Sequence, residues 1–274
     1  MAEFTGRTVF MSGGSRGIGL AIAERLAREG ANVALMAKTD EPHPKLPGTV
    51  HTAADAIREA GGQALPIVGD IRDEDAVEAA VARTVEEFGG VDVVVNNASA
   101  IVVVPIRDLP VKRYDLMQDI NTRGTFVVTR GCLPHVRESG HAHVLTLSPP
   151  LDDVPRWVAN HGPYTVSKMG MSILTLGLAA DEPGISANCL WPRTLIKTAA
   201  VQNLLGGDGA TARSREPAIV ADAAWEILRT PPGELTGRAL IDDEVLAEAG
   251  VTELSGYAAE GADLQLDPFV TNRA

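Results

Sequence analysis

The stretch Val9-Phe-Met-Ser-Gly-Gly-Ser-Arg-Gly-Ile-Gly-Leu20 sets the terms for the rest of the chain. Val9, Phe10 and Met11 form a short apolar run suited to a buried parallel strand, and Leu20 to Arg28 repeats apolar residues at helical spacing. The turn between them is rich in glycine. Gly13 permits a sharp reversal, Gly17 lets backbone approach a ligand closely, and Gly19 lets the helix pack against the strand. Unpaired N–H groups at the start of such a helix, reinforced by its dipole, favour a bound diphosphate. An ordinary strand-to-helix turn would need the same glycines for geometry alone.

Composition narrows the setting. At 274 residues with 45% hydrophobic content the chain can bury one large α/β core, so residues 1–274 are read as a single domain. A formal net charge of −12 argues against nucleic acid and anionic membrane as partners. Any phosphate-bearing ligand must then be held by local geometry. Cys132 and Cys189 lie far apart and form neither a metal-ligand pattern nor a disulfide framework, so no metal is expected and a reducing compartment is. No signal-peptide pattern precedes the first strand and no run approaches a membrane span, which together give a cytoplasmic expectation.

Along the chain, strand and helix patterns alternate as in a doubly wound parallel sheet with helices on both faces and about seven strands. Ala31 to Ala37 reads as the second strand, and its end meets the adenosine ribose in such sheets, where an acid holds a 2′-hydroxyl and a base tolerates a 2′-phosphate. Ala37 stands where the acid would be, while Lys38 and Arg16 supply positive charge, so NADP(H) is preferred and NAD(H) stays open. Lys38 could equally be a solvated loop lysine. The proline-rich loop Thr39 to Gly48 is long enough to cover this end of the site. Helices are read near Thr49 to Ala60 and Asp73 to Phe88, with a strand at Ala64 to Val68 between them. Asp70 and Ile71 follow that strand, and Asp70 suits a helix cap as well as a ligand contact. The run Val91 to Val95 is a strand buried on both faces and leads into Asn96-Asn97-Ala98-Ser99. A long helical region, Lys112 to Arg137, contains Asn121 and Gly124, which point to a local kink.

Ser148 ends the strand His141 to Leu147, and Tyr164-Thr-Val-Ser-Lys168 opens the helix that follows. A separation of four residues puts the phenol and the ammonium on one helix face. A free phenol is a poor base at neutral pH, and a neighbouring ammonium stabilises its phenolate. The glycine turn, Asn-Asn-Ala, Asn121, Ser148 and the Tyr164/Lys168 pair fall in the order, and at separations similar to those, of the short-chain dehydrogenase/reductase family, which the chain resembles over about residues 6 to 250. The likeness implies a Rossmann-type fold and a hydride transfer between a nicotinamide cofactor and a carbonyl/alcohol pair. It implies catalytic roles for Asn121, Ser148, Tyr164 and Lys168, with Asn121 holding an ordered water; a helix-packing hydrogen bond is the plainer role for that amide. Cofactor contacts are implied for Ser12, Gly13, Ser15, Arg16, Gly17, Ile18, Gly19, Lys38, Asp70, Ile71, Asn97, Ala98, Ser99, Tyr164, Lys168, Pro192, Ile196 and Thr198. A homotetramer built on two long helices is implied, with a dimer left open. The alternative is a catalytically silent dinucleotide-binding protein of the same fold.

The chain departs from the family pattern at Ser99 and Arg193, both usually glycine, and at Pro149-Pro150 beside the serine. The segments Lys38 to Thr49, Ser148-Pro-Pro-Leu151 and Leu190-Trp-Pro-Arg-Thr194 together resemble the hydroxysteroid dehydrogenase-like branch of the family. Pro149, Trp157 and Arg193 are the candidate substrate contacts, with His161 behind them; Trp157 could be core, His161 a helix-terminal polar residue and Arg193 a surface cation. A cationic Arg193 would favour an acidic or thioester-linked substrate. Residues 203–217 have the composition of a mobile lid, and 251–274 read as a tail that packs across a neighbouring subunit.

Overall fold

Alternate residues of the central strands sort to opposite faces of one sheet, and this sorting builds the molecule. The computed structural model describes residues 3–43, 46–151, 158 and 161–270. Its strands are β1 (Thr8–Ser12), β2 (Asn32–Ala37), β3 (Gln63–Val68), β4 (Val93–Asn96), β5 (His143–Leu147), β6 (Ser186–Trp191) and β7 (Ala239–Ile241). They form one sheet in the order β3-β2-β1-β4-β5-β6-β7, with every neighbouring pair parallel. Phe10, Ala34, Val94 and Val144 lie in register on one face. They pack on Val77 and Val81 of α3 (Glu74–Phe88) and on Val128, Cys132 and Val136 of α5 (Gly124–Val136). Val9, Val33 and Val93 point the other way, onto Ile22 and Leu26 of α1 (Gly17–Ala27), Ile57 of α2 (Val50–Glu59) and Ile219 and Ile227 of α9 (Ala218–Leu228). This is the expected doubly wound sheet of a single Rossmann-type domain, covered on both faces.

Local chemistry fixes the helix ends. Thr49 and Thr52 form a reciprocal capping box at α2, and Asp73 accepts the Ala76 N–H at 3.2 Å at the start of α3. Such caps are worth about 1 kcal/mol each. The cap of α3 is therefore Asp73, and Asp70 is left for other work. The expected kink is a π-helical turn, Gln118–Arg123, between α4 (Val111–Met117) and α5. Asn121 sits in this turn with its amide bonded outside the helix, which accounts for the broken ladder.

Residues 203–217, read from sequence as a mobile loop, include the end of α7 (Ala199–Leu204) and all of α8 (Gly207–Ala212). Gly206 and Gly207, at φ of 140° and 62°, make the break between those helices, and that turn chemistry produced the loop-like composition. The C-terminal tail makes contacts within its own chain. After α10 (Asp242–Glu248) it returns to the loop beyond β6, where Leu195 N donates to Gln265 O and Asp267 N to Arg193 O, both at 2.9 Å.

Candidate active site

A cavity of about 640 Å³ opens at the C-terminal ends of β1, β2, β4 and β5, where the strand order reverses. This is the place at which open α/β sheets bind ligands. Its floor is the glycine turn. Gly13 has φ of 75°, and a Cβ there would lie 2.6 Å from the Ala98 Cα, so only glycine lets β1 and β4 approach. Ser12 and Asn97 tie the same junction: Ser12 Oγ accepts from Asn97 N and Ala98 N at 3.3 Å, and Asn97 Nδ2 donates to Gly13 O at 2.8 Å. Helix α1 starts beside the cavity with no side-chain cap at Arg16, so its first N–H groups are available to a ligand.

At one end of the cavity stands Lys38, whose ammonium lies 3.1 Å from Asp70. Asp70 is also gripped by Arg72, with Nε at 2.9 Å, and these cations hold its carboxyl well below the usual range, Arg72 having the larger effect. Arg16 spends its guanidinium on the proline-rich loop, donating to Pro47 O at 3.1 Å and to Gly48 O and Thr39 Oγ1 at 2.9 Å. The loop is thereby pinned beside the adenosine end, where Leu46 joins the lining.

At the other end are Tyr164 and Lys168, both on the first turns of α6 (Gly162–Asp181) and both buried. Lys168 Nζ donates to Leu147 O at 2.6 Å and sits 4.9 Å from the centre of the Trp191 ring. Burial lowers its pKa to about 7, against the opposing pull of Asp267 and Cys189. Burial, with the negative charge of Asp267, pushes the Tyr164 phenol up, while a side-chain hydrogen bond from Ser99 favours the phenolate. Ser148 is fully buried, and its Oγ has no hydrogen-bond partner among the described residues. Ser148 is not among the residues that line the cavity, although its neighbour Leu147 is.

Asn121 is held by protein on three sides. Ala100 N donates to its Oδ1 at 2.7 Å, and its Nδ2 donates to Ala100 O at 2.9 Å and Ser167 Oγ at 2.8 Å. Both amide hydrogens are spent, and Oδ1 keeps one acceptor position.

Gly13, Ser15, Arg16, Gly17, Ile18, Lys38, Asp70, Ile71, Asn97, Ala98, Ser99 and Thr198 all line the cavity. Ser12 and Gly19 act one step behind it: a Cβ at Gly19 would strike Asn97 Nδ2 at 2.4 Å. Ile196 is packed into the core and Pro192 lies outside the lining, so neither side chain faces the cavity. The remaining substrate candidates separate. Pro149 is buried, its carbonyl accepting from Ser172 Oγ at 2.6 Å. Arg193 is not an open cation: its Nε lies 2.7 Å from both Asp243 oxygens and its Nη2 2.6 Å from Glu244. His161 packs edge-on against Phe269. Trp157 lies outside the described residues. Sequence reasoning missed Asp267 and Phe269, which reach the Tyr164 end from the far C-terminus.

A family model described as short chain dehydrogenase matches residues 7–206. Hydroxysteroid dehydrogenase-like protein 2 of Xenopus tropicalis is 49% identical over 268 residues, 97% of this chain and 64% of that protein. Its counterpart in Homo sapiens is 47% identical over 270 residues, 98% of this chain and again 64% of that protein. The chain thus spans less than two thirds of the length of these curated relatives. Among solved structures, a short chain dehydrogenase of Mycobacterium thermoresistibile matches with a TM-score of 0.92 at 57% identity, covering 97% of this chain and 96% of that one.

Proposed function

The chain belongs to the short-chain dehydrogenase family, and on that premise we propose that it is an NADP(H)-preferring oxidoreductase, with NAD(H) as the second choice, that interconverts a carbonyl and a secondary alcohol. The observation that carries the reading is one cavity with an uncapped helix start and glycine cradle at its floor, Lys38 at one end and the Tyr164/Lys168 pair at the other.

The residues present fit a dinucleotide. Gly17, at φ of 58°, leaves space that a Cβ would fill to within 3.3 Å of Thr198 Cγ2, beside the free N–H groups that a diphosphate would accept from. Ala37 offers no carboxylate to a 2′-hydroxyl, and Lys38 stands ready for a 2′-phosphate. When bound, the cofactor gives or takes the hydride. Tyr164 passes a proton to or from the substrate oxygen. Lys168 stabilises the phenolate with its charge and reaches toward the ribose. By the family resemblance the Ser148 hydroxyl, buried and without a hydrogen-bond partner among the described residues, would hold the substrate oxygen, which it meets only when the adjoining cavity lining moves aside. The open acceptor position on Asn121 Oδ1 is where a relay water would sit.

Apolar side chains surround Tyr164: Met117, Trp191 and Phe269, with Ile101 and Val102 against them. They suit a substrate with an apolar body. The carboxylates around Arg193 remove the reason to expect an acidic one. Exposed Phe126 of α5 and Val166 and Ile173 of α6 support a homo-oligomer, tetramer or dimer, built on those helices. The free buried cysteines Cys132 and Cys189 support a reducing, cytoplasmic setting. Among the described residues no helix is long and apolar enough to cross a membrane.

The test is nicotinamide absorbance with NADPH and NADH against a panel of hydroxysteroids, acyl derivatives and small ketones. Turnover that vanishes in Tyr164→Phe is expected; absence of turnover across the panel would remove the enzymatic reading and leave a binding protein.

A further inference from the structure

The C-terminal segment that returns to the loop after β6 brings a carboxylate into the buried end of the site. Thr194 pairs with Leu266 in an antiparallel bridge, and Asp267 follows. Its Oδ1 accepts from Trp191 Nε1 at 2.8 Å and from Phe269 N at 2.9 Å. The Trp191 ring carries the Lys168 ammonium 4.9 Å from its centre, and the Phe269 ring stands 5.7 Å from Tyr164. One short turn of chain thus contacts the indole under the lysine and the face of the tyrosine together. We propose that Asp267 is a positioning residue for the Tyr164/Lys168 pair: its carboxylate, anchored by Trp191 and the Phe269 amide, is the buried counter-ion that keeps Lys168 protonated in the working site. The proposal rests on the reading of that pair as the proton-handling groups.

The charges facing the lysine are few. Burial is the largest influence on Lys168 and opposes its charge; Asp267 and Cys189 are the groups that oppose burial. Burial also pushes Asp267 up to about 6, with the Phe269 and Trp191 hydrogen bonds and the charge on Lys168 pulling the other way. Burial thus pushes both groups toward neutrality, and their mutual attraction works to keep both charged. Tyr164 feels the same carboxylate, which disfavours its phenolate. Asp267 thus favours the charged lysine and disfavours the phenolate at once, so its benefit to turnover falls on Lys168. Removing the carboxylate lowers the lysine pKa and leaves a neutral amine at working pH.

Trp191 reports on the coupling directly. Its emission, isolated by subtracting a Trp191→Phe variant, should titrate in the wild-type chain with a midpoint near that of Lys168. In Asp267→Asn the midpoint should fall by about one pH unit or more, and Asp267→Glu should restore part of the difference. In turnover, Asp267→Asn should move the alkaline limb of kcat to lower pH and leave the KM of the carbonyl substrate within a few-fold. An unmoved emission midpoint in Asp267→Asn overturns the proposal. If that variant loses the near-ultraviolet dichroism of the folded chain, Trp191→Phe decides: it keeps the carboxylate but removes its anchor, and a wild-type pH profile of turnover there overturns the proposal equally. The two readings fail differently, since loss of the enzymatic reading appears as a wild-type chain without turnover whose emission midpoint still responds to Asp267.

Discussion

Ser99 and Tyr164 line the same cavity, Ser99 at a position where the resembling family usually has glycine. The Ser99 hydroxyl favours the Tyr164 phenolate, against burial and Asp267. Replacing Ser99 with glycine should therefore move the acid limb of kcat/KM upward, by about half a pH unit to one unit, since one hydrogen bond to a charged group is worth roughly 1.5–3 kcal/mol before solvent and substrate replace it. Tyr164→Phe should cost far more, on the order of 10³-fold in kcat or beyond, with NADPH affinity by fluorescence titration unchanged within a few-fold. A Ser99→Gly profile identical to wild type would remove Ser99 from the tuning of Tyr164.

The orphaned hydroxyl of Ser148 allows activity and stability to be separated. A buried polar group without a partner costs about 1–3 kcal/mol, so Ser148→Ala should melt at or above the wild-type temperature. The same variant should lose on the order of 10²-fold in kcat if the hydroxyl positions the substrate oxygen. Thermal melts and steady-state rates on one preparation check both. A drop in melting temperature would show that Ser148 is satisfied in the folded protein.

Lys38 is exposed over more than half of its side chain and is shared with Asp70, so its pull on a 2′-phosphate would be moderated. Lys38→Ala should raise the KM for NADPH about tenfold and leave that for NADH nearly unchanged. The difference should shrink as salt is raised, because an exposed charge is screened. Equal losses with both cofactors would place the lysine in loop support rather than in discrimination.

The sheet was readable because its signals are local. Continuous β-branched runs such as Val91 to Val95, glycine at helix ends and four-residue spacing of Tyr164 and Lys168 each act within one element. Capping was nearly as legible, Asp73 displacing Asp70 by three residues. What could not be read is long-range. Arg193 looked free because the acids that take its charge, Asp243 and Glu244, arrive after another strand. Asp267 and Phe269 carry no motif. The hint was the apolar set Leu264, Leu266, Phe269 and Val270 near the end of the chain, and nothing in that pattern names Trp191 as its destination.

At the opposite end of β5, His143 gives the fold an acid limit. Burial, followed by the repulsion of His141, lowers its pKa from 6.5 to about 3, while the Thr230 carbonyl, 3.1 Å from Nε2, pulls the other way. The folded value lies below the unfolded one, so the neutral ring contributes stability that is fully present above about pH 6.5 and is lost as pH falls toward 3. The slope is at most about 1.4 kcal/mol per pH unit for one group. Melting temperature should therefore decline through this window in the wild-type chain. His143→Gln keeps a donor for Thr230 but cannot take the proton; it should lower stability at pH 7 and flatten the decline below it. A slope as steep as wild type in that variant would assign the acid sensitivity to the carboxylates or to His141, whose pKa burial also lowers.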